Sequence, residues 1–370
     1  WRTFIVGKNK FKDQYDIGKL PQTRERRRMI GDFTVGVLDV YNHRTYPDTI
    51  SIHESSFDTH GFTIDPYFSL KPPADSGVDV LAYVPYRALL PKGLEGIIVT
   101  GLGASAHRDA MPVIRMQPCL QNQGFAVGMA AAMVAKNEQQ IRDVNIKKLQ
   151  QKLVEIGSLT PEVLIHQDNF PPTDAQIQTA AKTVVLDLEG LEILLWDQER
   201  GVSAISIHYL ISTDPTHKLV YARILGMLGY ADGYADLLQA VQELDDWDDG
   251  WNFRSMSYVD TLIIGLGNCK KPESIPAIIR MAKMLTPESH FSHFRAIALA
   301  LETINDEQAT KALYDLLRLP GVTGHAMTDI QEAIRQTPPS RTDTSTRNNS
   351  LRELILGRAL YKCGDYNGLG

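Results

Sequence analysis

The chain divides by pattern before any chemistry is considered. From about residue 205 onward, apolar residues recur at helical spacing with small residues between them. The first half instead sets short apolar runs among Gly, Pro and polar punctuation. In that half, residues 33–70 alternate Thr, Val, Ile, Tyr and Phe with Asp, His, Gly and Pro, which predicts short strands and loops. Val78–Val84 reads as a strand. Pro85 and the turn Pro91-Lys92-Gly93 follow, and Gly96–Thr100 reads as a buried parallel strand ending in glycine. A Gly- and Ala-rich helix is expected over roughly Asn122–Lys136, with Pro118 just ahead of it. Asp143–Ile156 is strongly amphipathic, with Asp143 or Asn145 as its cap and Gly157 as its stop.

Pro161, Pro171 and Pro172 lie among polar residues, which places a domain boundary over 158–182. The apolar runs of 183–212 are left open between strand and helix. Segments 217–230, 258–269, 292–304 and 351–363 share one template. Partner helices are read in 234–244, 273–285 and 306–319, so that pairs recur as in a HEAT-like α-solenoid. Residues 337–350 form a polar Pro/Ser/Thr-rich loop. The expected fold is α/β, a partial domain with a mixed sheet over 1–157. A linker over 158–204 and an all-α HEAT-like solenoid over 205–370 would follow it.

Composition narrows the function. With 370 residues the chain exceeds one ordinary core, and 43% hydrophobic with 22% charged residues is the balance of a globular protein. A net charge of -6 argues against nucleic acid as a partner. No apolar run reaches membrane-spanning length, and Gly124–Ala135 reads as a buried helix. The cysteines Cys119, Cys269 and Cys363 are odd in number and far apart, so they form neither a disulfide framework nor a paired-cysteine metal site. The compartment is left open.

Candidate chemistry concentrates between Tyr83 and Lys136. Gly124, Ala126, Gly128 and Ala130–Ala132 strip bulk from one helix, so a flat ligand or another backbone can come close. The helix amino end offers unpaired N–H groups and a positive dipole, which suits the anionic edge of a reduced flavin. Packing against a sheet would demand the same small residues. Gly101-Leu102-Gly103-Ala104-Ser105-Ala106 carries the dinucleotide fingerprint in its alanine form. However, Pro112 interrupts the helix that should follow, and no acidic residue stands at the required distance. A sharp turn bringing backbone near a cofactor is the better reading.

Residues 83–136 resemble the C-terminal signature of a group of FAD-dependent oxidoreductases, carried by Tyr86, Arg87, Pro91, Lys92, Gly101, Ser105, His107, Arg115, Pro118, Cys119, Gly124, Ala126 and Gly128. Upstream, Arg24-Glu25, Arg27-Arg28, Ile30-Gly31-Asp32, Asp39, Tyr46-Pro47-Asp48 and the His53–Gly61 loop are similar to a second block of that family. The resemblance covers about 24–155. Leu102 stands where the family usually has Arg, which puts one polar contact to the cofactor in question. The family's N-terminal FAD-binding strand and glycine fingerprint are absent. The resemblance thus implies FAD as cofactor, bound by Gly101, Gly103, Ser105, Pro118, Asn122, Gln123, Gly124 and Gly128, and a missing N-terminal FAD-binding segment or chain as partner. It further implies hydride transfer from a small molecule, a carbohydrate hydroxyl carbon being the candidate, to the flavin, with His107 and Arg115 as catalytic residues.

Each residue also has a plainer role. His107 reads equally as a hydrogen-bonded loop histidine, and Arg115 as half of an ion pair. His53 and His60 flank an acidic loop that could face substrate but lack metal-ligand spacing. The run Arg24–Arg28, with Glu25 inside it, reads as an ion-pair network or solvated face, and Cys119 as a buried small residue. Asp245, Asp246, Asp248 and Asp249 around Trp247 read as a polar inter-repeat loop without the pattern of a calcium site. The alternative function is a non-catalytic interaction or scaffold protein using the helical repeats.

Overall fold

The architecture is that of a computed structural model. It describes residue 10, residues 28–59, 62–72, 79–251 and 255–326, residues 329, 331 and 335, and residues 344–366. The expectations for Arg24–Arg27, His60, Gly61, Val78 and residues 337–343 of the polar loop lie outside those residues, whereas residues 345–350, expected as loop, are helical.

In the first half, α1 (Val37–Tyr41), β1 (Thr49–Ser55), α2 (Pro66–Leu70) and β2 (Val80–Pro85) precede α3 (Met111–Ile114), α4 (Gln117–Lys136) and α5 (Ile146–Glu155). β1 and β2 pair antiparallel, with His53 opposite Ala82 and Ser51 opposite Val84. Among the described residues these two strands are the whole sheet, beside isolated bridges Gly31 to Pro91 and Val35 to Ala106. This corrects the expected mixed sheet. Gly96–Thr100 is not a strand: Gly96 and Gly101 take φ of +70° and +75°, and the residues between them stay partly or wholly exposed. Between these kinks the Val99 N–H bonds the Leu89 carbonyl at 2.8 Å without extending into a ladder, and a short apolar run does not distinguish a buried strand from a pinned loop.

α4 begins at Gln117 rather than Asn122, with Pro118 inside its first turn, where a missing N–H costs nothing. α5 starts after Asn145, whose side chain accepts from the Lys148 N–H, and Gly157 at φ +77° ends it. The short helix α3 packs on β1 and β2, and α4 lies across β1 and against α5.

Residues 183–212, open between strand and helix by pattern, are turn and helix. α6 (Asp174–Thr183), α7 (Leu191–Trp196) and α8 (Gln198–Ile211) occupy 174–211. The VVLDL run falls in a turn that holds Asp187, Leu188 and Gly190 at positive φ. α9 (Pro215–Met227), α11 (Tyr258–Asn268), α13 (Phe291–Ile304) and α15 (Ser345–Lys362) alternate with α10 (Tyr234–Glu243), α12 (Ile275–Ala282) and α14 (Thr310–Leu317). α9 packs on α11, α11 on α13 and α13 on α15. The small residues inside the template explain how closely they pack. A Cβ built on Gly226 would stand 2.9 Å from the Gly265 carbonyl oxygen, and one on Gly267 would stand 2.4 Å from the Ala300 Cα. Buried apolar residues form one connected core from Val35 to Cys363, with α7 packed on α1 and α2. No helix among the described residues is long and apolar enough to cross a membrane.

Candidate functional site

The glycine turn and the amino-terminal half of α4 are fastened together by one side chain. Gln123 is buried, and its Oε1 accepts from Thr100 Oγ1 at 2.7 Å and from the Gly101 N–H at 3.0 Å. The amide orientation is thereby set, and Nε2 faces His53 Nε2 at 3.5 Å. An NH2 group only donates, so this contact is a hydrogen bond only where His53 Nε2 accepts. His53 Nε2 also meets Ser51 Oγ at 3.0 Å, whereas Nδ1 is buried without a partner. Complete burial pushes the His53 imidazole down to about 4, so it is neutral near pH 7. His53 therefore does not line a loop facing substrate. It stands on β1 beneath the turn, because strand alternation sends its ring inward.

The turn itself is a single 3-10 turn, Gly101–Gly103, closed by the Ala104 N–H on the Gly101 carbonyl. Gly101 needs its glycine for φ, and Gly103 for space, since an added Cβ would stand 2.9 Å from Val99 Cγ1. No helix follows at once, so residues 101–106 do not build a dinucleotide-binding unit. Gly124 and Gly128 differ from both. Among the described residues a Cβ at either position would meet no atom within 4 Å, and with Gln117 and Gln121 they trace one open stripe along α4 beside half-exposed Phe125. The amino end of α4 carries no side-chain cap. Cys119 sits half-buried in that first turn.

Ser105 and Asn122 are turned away from this stripe. Ser105 Oγ pairs with Thr34 Oγ1 at 2.8 Å, and Gly31 lies so close that a Cβ there would stand 2.7 Å from Ser105 Cβ. Asn122 donates to the Ser158 carbonyl at 3.0 Å and accepts from Ser158 Oγ at 2.5 Å, which ties α4 to the end of α5. His107 donates its backbone N–H to Val35, and its Nδ1 accepts from the Asp109 N–H at 3.2 Å. Its side chain is 35% exposed, 4.0 Å from Asp65 Oδ2. Arg115 is buried, with Nη2 donating to the Asp58 carbonyl at 2.6 Å. Asp109, fully buried and not singled out by sequence, holds the Ile64 and Asp65 N–H groups at 2.7 and 2.8 Å and the Arg108 guanidinium at 2.8 Å.

The upstream motif residues assemble elsewhere. Arg44 donates to Asp168 through Nε at 2.9 Å and Nη2 at 3.0 Å, and to Asp39 through Nη1 at 3.0 Å. Arg87 reaches Asp48 at 3.3 Å and Asp168 at 3.4 Å. The rings of Phe33 and Tyr46 lie 5.0–5.4 Å from both guanidinium groups, and Trp196 donates from Nε1 to Asp39 at 3.0 Å. Arg44, Asp168 and Trp196 could not be linked from the sequence, since Arg44 and Asp168 lie 124 positions apart. Tyr86 donates to the Ile141 carbonyl at 2.7 Å, and Arg28 Nε donates to the Ala106 carbonyl at 2.8 Å. Cavities of about 400, 310 and 290 Å3 among the described residues are lined by residues other than those of the stripe.

With this geometry in place, comparison with known families is informative. Residues 5–153 match the family model described as FAD dependent oxidoreductase. No curated protein and no solved structure matches the chain. The family match supports a FAD-dependent oxidoreductase in general and implies FAD as its cofactor.

Proposed function

We propose that the isoalloxazine ring of FAD lies along the Gly124–Gly128 stripe with one edge at the amino end of α4, beside the Gly101–Gly103 turn. The observation that carries this reading is the contrast among glycines. Gly101 and Gly103 are required by the fold, whereas Gly124 and Gly128 meet none of the described residues and so weaken their helix without a described packing return. FAD, when bound, supplies the hydride acceptor. The remaining work falls to the chain's own side chains. Gln123 holds Gly101 in place, and Asn122 and Ser105 fix the frame around the turn. Gly103 and Pro118 keep its borders free of bulk. His107, partly exposed beside Asp65, takes the proton of a substrate hydroxyl. Arg115 fixes the Asp58 segment beside the site.

An open face covers only one side of a flat ring, so the other side and the adenine nucleotide are assigned to an FAD-binding segment or partner chain. A small hydroxylated substrate of the carbohydrate class follows from the family resemblance, and the helical pairs of the second half are assigned to a HEAT-like solenoid. The test is reconstitution. Purified protein, alone and mixed with a candidate FAD-binding partner chain, is titrated with FAD and followed by visible absorbance and by flavin fluorescence quenching. Bound flavin that dithionite reduces and a sugar alcohol or aldose also reduces supports the reading. Failure of both preparations to bind FAD favours the non-catalytic alternative, for which exposed Ile207, Leu210 and Ile211 on α8 supply an apolar face.

A further inference from the structure

A cavity of about 290 Å3 lies where the end of α2 meets the helical half, and the flavin proposal makes no use of it. Arg223 of α9 lines it. This side chain is 8% exposed, its Nε is buried without a hydrogen-bond partner, and among the described residues no carboxylate is paired with its guanidinium. Its one described partner is the Tyr258 ring, with the guanidinium carbon 4.7 Å from the centroid. A buried cation without a counter-ion is costly unless something else neutralises it. Burial pushes the Arg223 guanidinium below its usual range, in keeping with that cost.

The rest of the lining says what that something is. Asp248 and Asp249 also line the cavity. Asp248 is anchored because its Oδ2 accepts the Val259 N–H at 3.2 Å, whereas Asp249 makes no described bond. Trp251 and Tyr258 are 45% and 48% exposed at the mouth, and the Trp251 backbone is pinned by two hydrogen bonds of 3.0 Å with Ser292. A simple anion would meet Arg223 but be repelled by the two aspartates. A ligand with a negative and a positive group matches both charges of the lining. The volume sits near the low end of small-molecule sites, roughly 300–1,000 Å3. We infer that this cavity binds a small zwitterionic amino acid, its carboxylate on Arg223, its ammonium on Asp249 and Asp248, and its side chain against Trp251.

The experiment is thermal melting and isothermal titration of the full chain with L-serine, L-methionine and L-phenylalanine, with L-lactate and inorganic phosphate as arms that offer only an anion. Saturable stabilisation is expected from at least one amino acid and from neither anion. Arg223→Met weakens that binding at least about tenfold, the loss of one charge-assisted contact. The same variant, without ligand, melts at or above the wild-type temperature, because an uncompensated buried charge is gone. Asp249→Asn weakens binding and leaves melting unchanged. The inference is overturned if lactate or phosphate stabilises equally, if no amino acid binds, or if Arg223→Met binds as wild type. It is equally overturned if Arg223→Met melts well below wild type, which would make Arg223 a structural residue.

Discussion

Replacing Gly124 and Gly128 by alanine separates what the helix needs from what a ligand needs. In an exposed helical position, Gly→Ala returns about 0.5–1 kcal/mol, because the unfolded chain loses freedom and the helix gains a better former. Neither added methyl meets an atom of the described residues within 4 Å, so no packing cost among them offsets that gain. The double variant is therefore about 1–2 kcal/mol more stable than wild type. The sum is additive because each methyl projects into open space. In urea the midpoint rises while the slope is unchanged. A flavin seated on the stripe would meet two methyl groups inside its contact surface. Overpacking of this kind costs about 1–3 kcal/mol, or roughly a 5- to 150-fold loss in affinity. The assay is paired: urea unfolding of the flavin-free protein and fluorescence titration of the reconstituted protein. A double variant that gains stability and binds FAD as tightly as wild type refutes the stripe as the flavin's seat. One that loses stability refutes the claim that these glycines are structurally idle.

The opposite outcome is expected inside the helical half. Gly267→Ala puts a Cβ 2.4 Å from the Ala300 Cα, so α11 and α13 must part, and the net loss is about 1–3 kcal/mol by urea unfolding despite the better helix former. Arg44→Met leaves buried Asp39 without its cation while Arg87 still stands 3.4 Å from Asp168, and about 3 kcal/mol is lost, read by thermal or urea unfolding. His53 has a folded pKa depressed to about 4 from an ordinary 6.5, so the unfolded state binds its proton first. The stability it contributes is fully present above pH 6.5 and is lost as pH falls toward 4, about 3 kcal/mol in all. His53→Gln flattens that part of the stability–pH curve, which urea midpoints between those pH values would check.

The local elements were legible in the amino-acid sequence. Asn145 caps α5 and Gly157 stops it within a single turn of chain, and such contacts depend on neighbours in sequence alone. The helical periods of the second half and the small residues within them also follow from short-range spacing. What spacing cannot say is which face meets which partner. Gly124 and Gly267 look alike in sequence, yet one faces open space and the other the backbone of α13. Gln123 looked like a cofactor ligand, but its side chain holds the Gly101 turn and leans toward His53, a residue 70 positions away. The clamp of Arg44 between Asp39 and Asp168 likewise joins residues that only folding brings together. Periodicity and capping are written in contacts of a few residues, so the chain alone determined α5 and the helical spacing of the second half, but not α1 and α2, which fall where strands and loops were expected. Charge pairing, burial and open space are sums over distant segments, so only the tertiary structure decided which polar residues are fastened and which glycines are left facing solvent.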